Sequence, residues 1–342
     1  MKKIDIQNRN KIWITLTLAT CAIISVVIVA VLGDDQIIYT EEIRDVIDKI
    51  SVDTELSLTI YTDIHHDSAY EIDPLKETLT NIGVVGKQNH VDAVWCLGDM
   101  INGHNSTKEQ AVGLIREVIT EEEKTGLPFH NVEGNHDNNI QSSWEGSGGY
   151  GPEVVLPPEE LKDILEQSGE IHSDLRAMDY YVDFEDAGIR VICISADYTT
   201  FCEETVIWLR DVALKTDKEV LVLSHCPTRP EWGYNHDIVN GEIIEAELKT
   251  FCDAGGTIIA LIYGHDHGDM IETADDMSWT GVAIGCARYQ VPAGGTTEGM
   301  TYAERNVDDE TKILFDVVCI DKKKREVRFI RFGAGKDRVI NY

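Results

Sequence analysis

Basic side chains are scarce in this chain. Its 342 residues carry 30 Lys and Arg against 61 Asp and Glu, a formal net charge of −31. Lys2, Lys3, Arg9 and Lys11 are all spent near the start, so the rest is more acidic still. Such a body repels nucleic acid and anionic membrane surfaces, and no nucleic-acid-binding surface is expected. Divalent cations held inside it would offset the repulsion locally. Cys-x-x-C pairs are absent as well. Of the eight cysteines, Cys21 falls in a long apolar run, and Cys96, Cys193 and Cys319 fall in strand-like segments where a small thiol packs as a hydrophobe. That excludes a disulfide framework, while leaving room for one bridge. There is no internal repeat and no low-complexity tract. A composition 43% hydrophobic and 27% charged is that of an ordinary globular chain, enough for one large domain or two smaller ones.

One long hydrophobic run is present. Ile12–Leu32 has no charged residue over 21 positions, enough at helical rise to cross a hydrocarbon core of about 30 Å. Lys2, Lys3, Arg9 and Lys11 precede it; Asp34 and Asp35 follow. Positive residues stay on the cytoplasmic side, so the pattern predicts a single-pass anchor in the cell membrane with the body extracytoplasmic. A cleaved signal peptide, which would leave a secreted body, is the competing expectation. Its apolar run is usually only about 7–15 residues, and Ala30-Val31-Leu32-Gly33 is a poor cleavage site. The expected division is a basic cytoplasmic tail (1–11), a transmembrane signal anchor (12–32), an acidic connector (33–54) with helical spacing at Ile43, Val46, Ile47 and Ile50, and a folded domain (55–342).

From residue 56 onward strands and helices alternate. Strand-like runs lie at 56–62, 92–97, 128–133, 189–195, 219–224 and 257–263. Helical patterns lie at 72–89, 106–124, 203–215 and 240–253, the last-but-one spacing Val206, Leu209, Val212 and Ala213 along one face. This order argues a layered α/β fold. Later runs at 280–286, 312–320 and 325–332 have no helices between them, and "DKKKRE" at 321–326 reads as a hairpin turn. The end of the chain is therefore expected to build a second, antiparallel sheet. Gly- and Pro-rich stretches at 141–158 and 290–300 read as long loops.

Five strand-like runs end in side chains able to hold a metal. Asp63 and His65 follow the first. "GDMIN" (98–102) follows the second, "GNHD" (134–137) the third, His225 the run at 219–224, and "GHDH" (264–267) the run at 257–263. In open α/β sheets the carboxyl ends of strands face one crevice, so these ends can meet. The resulting set is Asp63, His65, Asp99, Asn135, His225, His265 and His267. It offers imidazole and oxygen without thiolate, which suits Zn, Mn or Fe(II). Seven ligands are too many for one tetrahedral ion, and a carboxylate such as Asp99 can bridge two ions about 3.5–4 Å apart. Glycines before Asp99, Asn135 and His265 allow sharp turns and keep bulk away.

These motifs, in this order, resemble those of calcineurin-like metallophosphoesterases, and the resemblance covers residues 56–342. It implies a two-sheet α/β sandwich flanked by helices. It also implies a binuclear phosphoesterase that hydrolyses phosphate mono- or diesters by attack of a metal-bridging hydroxide. On that resemblance Asp63, His65 and His267 hold one divalent ion, Asn135, His225 and His265 hold the second, and Asp99 bridges them. His136 contacts the phosphate and protonates the leaving oxygen, with Asp137 orienting its ring. Asn102 stands where the family often has Asp, which weakens a supporting role there. The tyrosine of purple acid phosphatases is absent, which disfavours a tyrosinate–Fe(III) centre. The His-x-His-x-Asp-His pattern of metallo-β-lactamases is not supplied by 65–70.

Each motif also has a plain interpretation as turn residues, but unrelated turns would not assemble this order. His66 and Asp67 are candidates for supporting the ligands or contacting substrate, with an exposed turn as the simpler alternative. His104 and His236 lie near motif loops. Arg288 follows a strand and could meet a phosphate. The competing function is a catalytically inactive, membrane-anchored interaction protein on the same scaffold.

Overall fold

The computed structural model describes residues 37–50, 54–67, 74–89, 91–143, 149–229, 238–288 and 299–342. The anchor expected at 12–32 and the tail before it lie outside these residues. Among the described residues no helix is long and apolar enough to cross a membrane. Tyr39–Tyr342 forms one compact unit.

Six strands make the first sheet. Its order runs β13 (Arg338–Asn341), β12 (Glu326–Gly333), β11 (Leu314–Asp321), β1 (Leu56–Tyr61), β2 (Ala93–Cys96), β3 (Phe129–Asn131). Strands β1, β2 and β3 are parallel, and β11 joins the free edge of β1 antiparallel. Seven strands make the second sheet, in the order β4 (Ile171–His172), β5 (Tyr180–Phe184), β6 (Ile189–Ile194), β7 (Glu219–Ser224), β8 (Ile258–Tyr263), β10 (Gly281–Ala283), β9 (Met270–Glu272). Here β6, β7, β8 and β10 are parallel, and the edges are antiparallel.

The sequence expectation of a second sheet built by the last strands is corrected by this topology. Strands β11–β13 extend the first sheet instead, because β1 has an open edge and Leu314–Asp321 is buried along its whole length. The hairpin at 321–326 is as expected, with Asp321 opposite Glu326. All seven cysteines of the described residues are free thiols.

Burial on both faces explains the unbroken apolar strands. Leu56, Leu58 and Ile60 point from β1 into the core shared with Val191, Leu221 and Leu223 of the second sheet. The other face of the second sheet, through Val220 and Val222, packs on Trp208, Leu209, Ile244 and Leu248. These come from the helical turns Glu203–Trp208 and Leu209–Ala213 and from the helix Gly241–Asp253. The first sheet is backed by the helices Leu75–Asn89 and Lys108–Thr125. The connector expected to have helical spacing forms the helix Thr40–Lys49, burying Ile43 and Val46.

The contact between β1 and the helix Lys108–Thr125 contains a buried carboxyl. Tyr61 Oη donates to Glu122 Oε1 at 2.7 Å, and Asn131 Nδ2 donates to Oε2 at 3.1 Å. Burial outweighs both bonds and pushes the Glu122 carboxyl up to about 7. Its folded value therefore lies above its unfolded one. Between about pH 4.5 and 7 the unfolded chain loses this proton while the folded chain keeps it, so stability falls as pH rises through that window. Glu122→Gln should remove the slope, and at pH 8 it should exceed the parent in unfolding free energy by about 2 kcal/mol. Asn131 Oδ1 has no hydrogen-bond partner, so a flipped Asn131 amide can receive the new glutamine N–H. Denaturant titrations at pH 5 and pH 8 check this; equal slopes in both proteins would refute it.

Candidate metal centre

Parallel strands place the chemistry. Strands β1, β2 and β3 run side by side in one sheet and β7 and β8 in the other, and each hands its next residues to a turn at the same end of the sandwich. Those turns are wound the unusual way. Asp63, His65, Asp99, His265 and His267 all have positive φ, between 44° and 69°. Non-glycine residues rarely adopt this region, and when they do they cluster at functional sites. The turns also interlock without room for side chains. A Cβ on Gly134 would lie 2.1 Å from Asp99 N and 2.3 Å from Asp99 Oδ1.

The seven side chains selected from the sequence come together. Asp63, His65 and His267 present ligand atoms within 4.8 Å of one another, and so do Asp63, Asp99 and His225. His65 Nε2 and His267 Nε2 face each other at 3.1 Å, and Asp63 Oδ1 is 3.4 Å from His267 Nε2. On the other side, His225 Nε2 and His265 Nδ1 lie 2.9 and 2.8 Å from Asn135 Oδ1. Asp99 Oδ2 sits between the two groups, 3.6 Å from His65 Nε2 and 3.4 Å from His225 Nε2. Asp63, Asp99 and His225 are almost wholly buried.

Second contacts aim these atoms. His225 Nδ1 lies 2.8 Å from the Leu97 carbonyl, a bond that directs Nε2 toward Asp99 and Asn135. Thr62 Oγ1 and the backbone N–H of His265 both donate to Asp63 Oδ2, at 2.8 and 3.0 Å. Asp63 Oδ1 is then left buried with no hydrogen-bond partner.

Electrostatics follow from the crowding. Burial opposes charge on Asp63, yet His267 and His225 outweigh it and hold the carboxyl down at about 2. Asp99 is likewise held well below the usual carboxylate range, by His225 and His136 against burial. Burial pushes the His65 imidazole down to about 3 despite Asp99, which keeps its ring neutral. His225 goes the other way: burial disfavours its charge, but Asp99 and Asp63 raise it to about 10. The residues fit a divalent cation. A buried carboxylate oxygen lacks a donor, two imidazole nitrogens face each other, and the donor set is nitrogen and oxygen.

The supporting residues fall out differently from expectation. His136 stands beside the cluster, its Nε2 3.8 Å from Asp99 Oδ2 and its ring edge-on to His65 at 4.8 Å. Asp137 was expected to orient that ring, and it does not touch it. Its Oδ2 accepts from Gly134 N and Asp99 N, and its Oδ1 from Met100 N and Ile101 N. Asp137 thus ties the "GNHD" turn to the "GDMIN" turn. Burial and the charge of Asp99 push its carboxyl up to about 7. The ring of His136 is held instead through Nδ1, 2.7 Å from the Asn102 carbonyl. Asn102 therefore contributes its main chain, which explains why an amide can stand where Asp is common.

His66 is buried rather than an exposed turn, and it points to the helix Lys108–Thr125, with Nε2 2.8 Å from Glu117 Oε2. Asp67 lies near His104, whose imidazole is drawn down chiefly by burial, then by His136, with Asp67 pulling it up. Arg288 donates from Nη1 to the His65 carbonyl at 3.1 Å, a structural pairing. His236 lies outside the described residues. Two neighbours of the cluster had no signal in the sequence. Gln141 Nε2 approaches His136 Nε2 at 3.5 Å, and Tyr198 holds φ 58° in the turn after β6, where a glycine would be the ordinary choice.

Comparisons with known proteins agree with this architecture. The model of the calcineurin-like phosphoesterases matches residues 56–269. A dimetal phosphatase from Danio rerio is similar in fold, with a TM-score of 0.56 and 15% identity over 85% of this chain and 100% of that one. GAP50, the anchor in the inner membrane complex of Plasmodium, aligns with a TM-score of 0.44 and 14% identity over 78% of this chain and 85% of its own. Among curated proteins no match is found.

Proposed function

Because this chain belongs to the calcineurin-like phosphoesterase family, we propose that it is a binuclear-metal hydrolase of phosphate mono- or diesters. The observation that supports this best is the meeting of Asp63, His65, Asp99, Asn135, His225, His265 and His267 at one end of the sandwich, with Asp99 Oδ2 between two groups of nitrogen donors. In this reading Asp63, His65 and His267 hold one ion, Asn135, His225 and His265 the other, and Asp99 both. Bound divalent ions would supply positive charge at the phosphoryl oxygens and lower the pKa of coordinated water.

The protein's own part is positioning and proton transfer. His136, fixed through its Nδ1 to the Asn102 carbonyl, keeps Nε2 directed at the cluster. There it can give a proton to the leaving oxygen as the P–O bond breaks. Asp99 Oδ1 accepts from the backbone N–H of His136 at 2.9 Å, so the bridging carboxylate also sets the height of that turn. Asp137 holds the two turns together from below.

The charge-free run Ile12–Leu32 behind a basic tail supports an enzyme anchored in the cell membrane with its catalytic domain outside the cytoplasm. The test uses the full chain in detergent. After removal of metal by a chelator, p-nitrophenyl phosphate and bis-p-nitrophenyl phosphate should not be hydrolysed. Added Mn should restore turnover of at least one. No turnover of either ester with Mn, Zn or Fe(II) would favour the interaction protein on an inert scaffold.

A further inference from the structure

His104 is exposed, but the chain on both sides of it is fixed. Gly103 has φ 68° and lies flush on the main chain of His136; a Cβ there would come within 2.5 Å of the His136 carbonyl oxygen. Ser142 Oγ donates to the Gly103 carbonyl at 3.2 Å. On the other side, Asn139 Oδ1 accepts from Asn105 N at 2.9 Å and from Asn105 Nδ2 at 3.2 Å, and Asn139 Nδ2 returns a bond to the Asn105 carbonyl at 3.0 Å. Asn139 is fully buried and itself holds φ 64°. So a strained, buried amide clamps the loop that carries His104 onto the loop that carries His136.

The clamp sets the His104 ring edge-on to His136, with centroids 5.9 Å apart and planes at 78°. Neither nitrogen of His104 has a hydrogen-bond partner among the described residues. Two donors or acceptors are thereby held in solvent beside the residue that faces the leaving oxygen. The scissile phosphoryl group is the same in every monoester, whereas the leaving group differs, and on the hydrolase reading it departs beside His136.

We propose that His104 contacts the leaving group and selects esters whose leaving group carries a hydroxyl or anionic oxygen within reach of an imidazole. This rests on the hydrolase reading above and extends it to the part of the substrate beyond the scissile bond. A neutral imidazole both donates and accepts, so it suits sugar, glycerol or diphosphate oxygens and gains little from a bare aryl ring. Removing one such bond costs about tenfold.

The test measures kcat and KM of the Mn-loaded full chain on p-nitrophenyl phosphate, glycerol 3-phosphate, ribose 5-phosphate and a nucleoside diphosphate. The parent should prefer at least one oxygen-bearing ester to the aryl ester. His104→Ala should lose about tenfold in kcat/KM on the preferred ester and less than twofold on p-nitrophenyl phosphate. Inhibition by inorganic phosphate should be unchanged, since phosphate has no leaving group. His104→Gln, which keeps a donor and an acceptor, should recover most of the loss. Preference of the parent for the aryl ester, equal losses on all esters, or no loss would each overturn the role of His104 while leaving the hydrolase intact. No turnover by the parent of any of these substrates or of bis-p-nitrophenyl phosphate would instead remove the hydrolase reading, and this one with it.

Discussion

Asp99→Ala is expected to lower turnover of p-nitrophenyl phosphate by about a thousandfold or more, and to reduce bound metal to one ion per chain or none. Asp99 Oδ2 faces nitrogen donors on both sides, at 3.6 Å from His65 and 3.4 Å from His225, so on the proposed reading Asp99 would help hold both ions. Its other oxygen holds the His136 backbone at 2.9 Å. The two jobs can be separated. Asp99→Asn keeps an oxygen for His136 N but loses the charge, and it should be nearly as inactive as the alanine variant. The fold should survive at some cost, because His225 and His136 favour the Asp99 charge in the folded protein against burial, and repulsion from Asp63 is the smaller effect. Cooperative thermal unfolding of the metal-free variant at or below the parent's temperature, together with lost turnover, is the expected pattern. Turnover within tenfold of the parent would contradict the bridging role.

Arg331→Met should cost about 3 kcal/mol or more of unfolding free energy. Arg331 is buried on β12 and binds two carboxylates at once. Its Nε and Nη2 donate to Asp316 at 2.9 and 3.1 Å, and its Nη1 and Nη2 donate to Asp269 at 2.9 and 2.6 Å. Arg338 of β13 pairs with the same two residues. Burial works against charge on Asp269, but Arg331 and then Arg338 hold its carboxyl below the ordinary value. Its contribution is therefore present above about pH 4 and is lost as pH falls further. Methionine keeps most of the volume but leaves two acids sharing one guanidinium. Removing Asp316 as well restores one acid for one base, so Arg331→Met/Asp316→Leu should be more stable than Arg331→Met alone. Denaturant unfolding of the single and double variants decides the matter. A double variant weaker by the sum of two losses would show that packing, not charge balance, sets the cost.

The centre was legible because its signal is local and abrupt. Apolar runs such as Leu58–Tyr61 and Ile258–Tyr263 stop at Asp or His, and parallel strand ends share a crevice whatever the order of the sheet. What the sequence could not carry were pairings between distant segments. Strand β11 gives no hint in its own residues that it will join β1 rather than start another sheet. Strand β4 is two residues long. Strand β5 has strand-forming residues, but its antiparallel pairing with β6, tied by Asp183 to Arg190, is not written in its own five positions. Roles within the site failed for the same reason. Asp137 follows His136 in the chain, but its carboxylate is drawn to the backbone N–H groups of Asp99, Met100, Ile101 and Gly134. His66 follows His65, yet its side chain meets Glu117 on the helix Lys108–Thr125. Adjacency in sequence says little about which way a side chain points in an irregular turn.

The left-handed backbone at Asp63, His65, Asp99, His265 and His267 has a consequence for inheritance. Each of these residues holds a conformation that costs about 1–2 kcal/mol and that glycine adopts freely. Glycine at any one of them would therefore relax the backbone there while removing a side chain that the proposed hydrolase needs. Backbone strain thus favours an inert scaffold at those five bends, and on the hydrolase reading selection on turnover would oppose it.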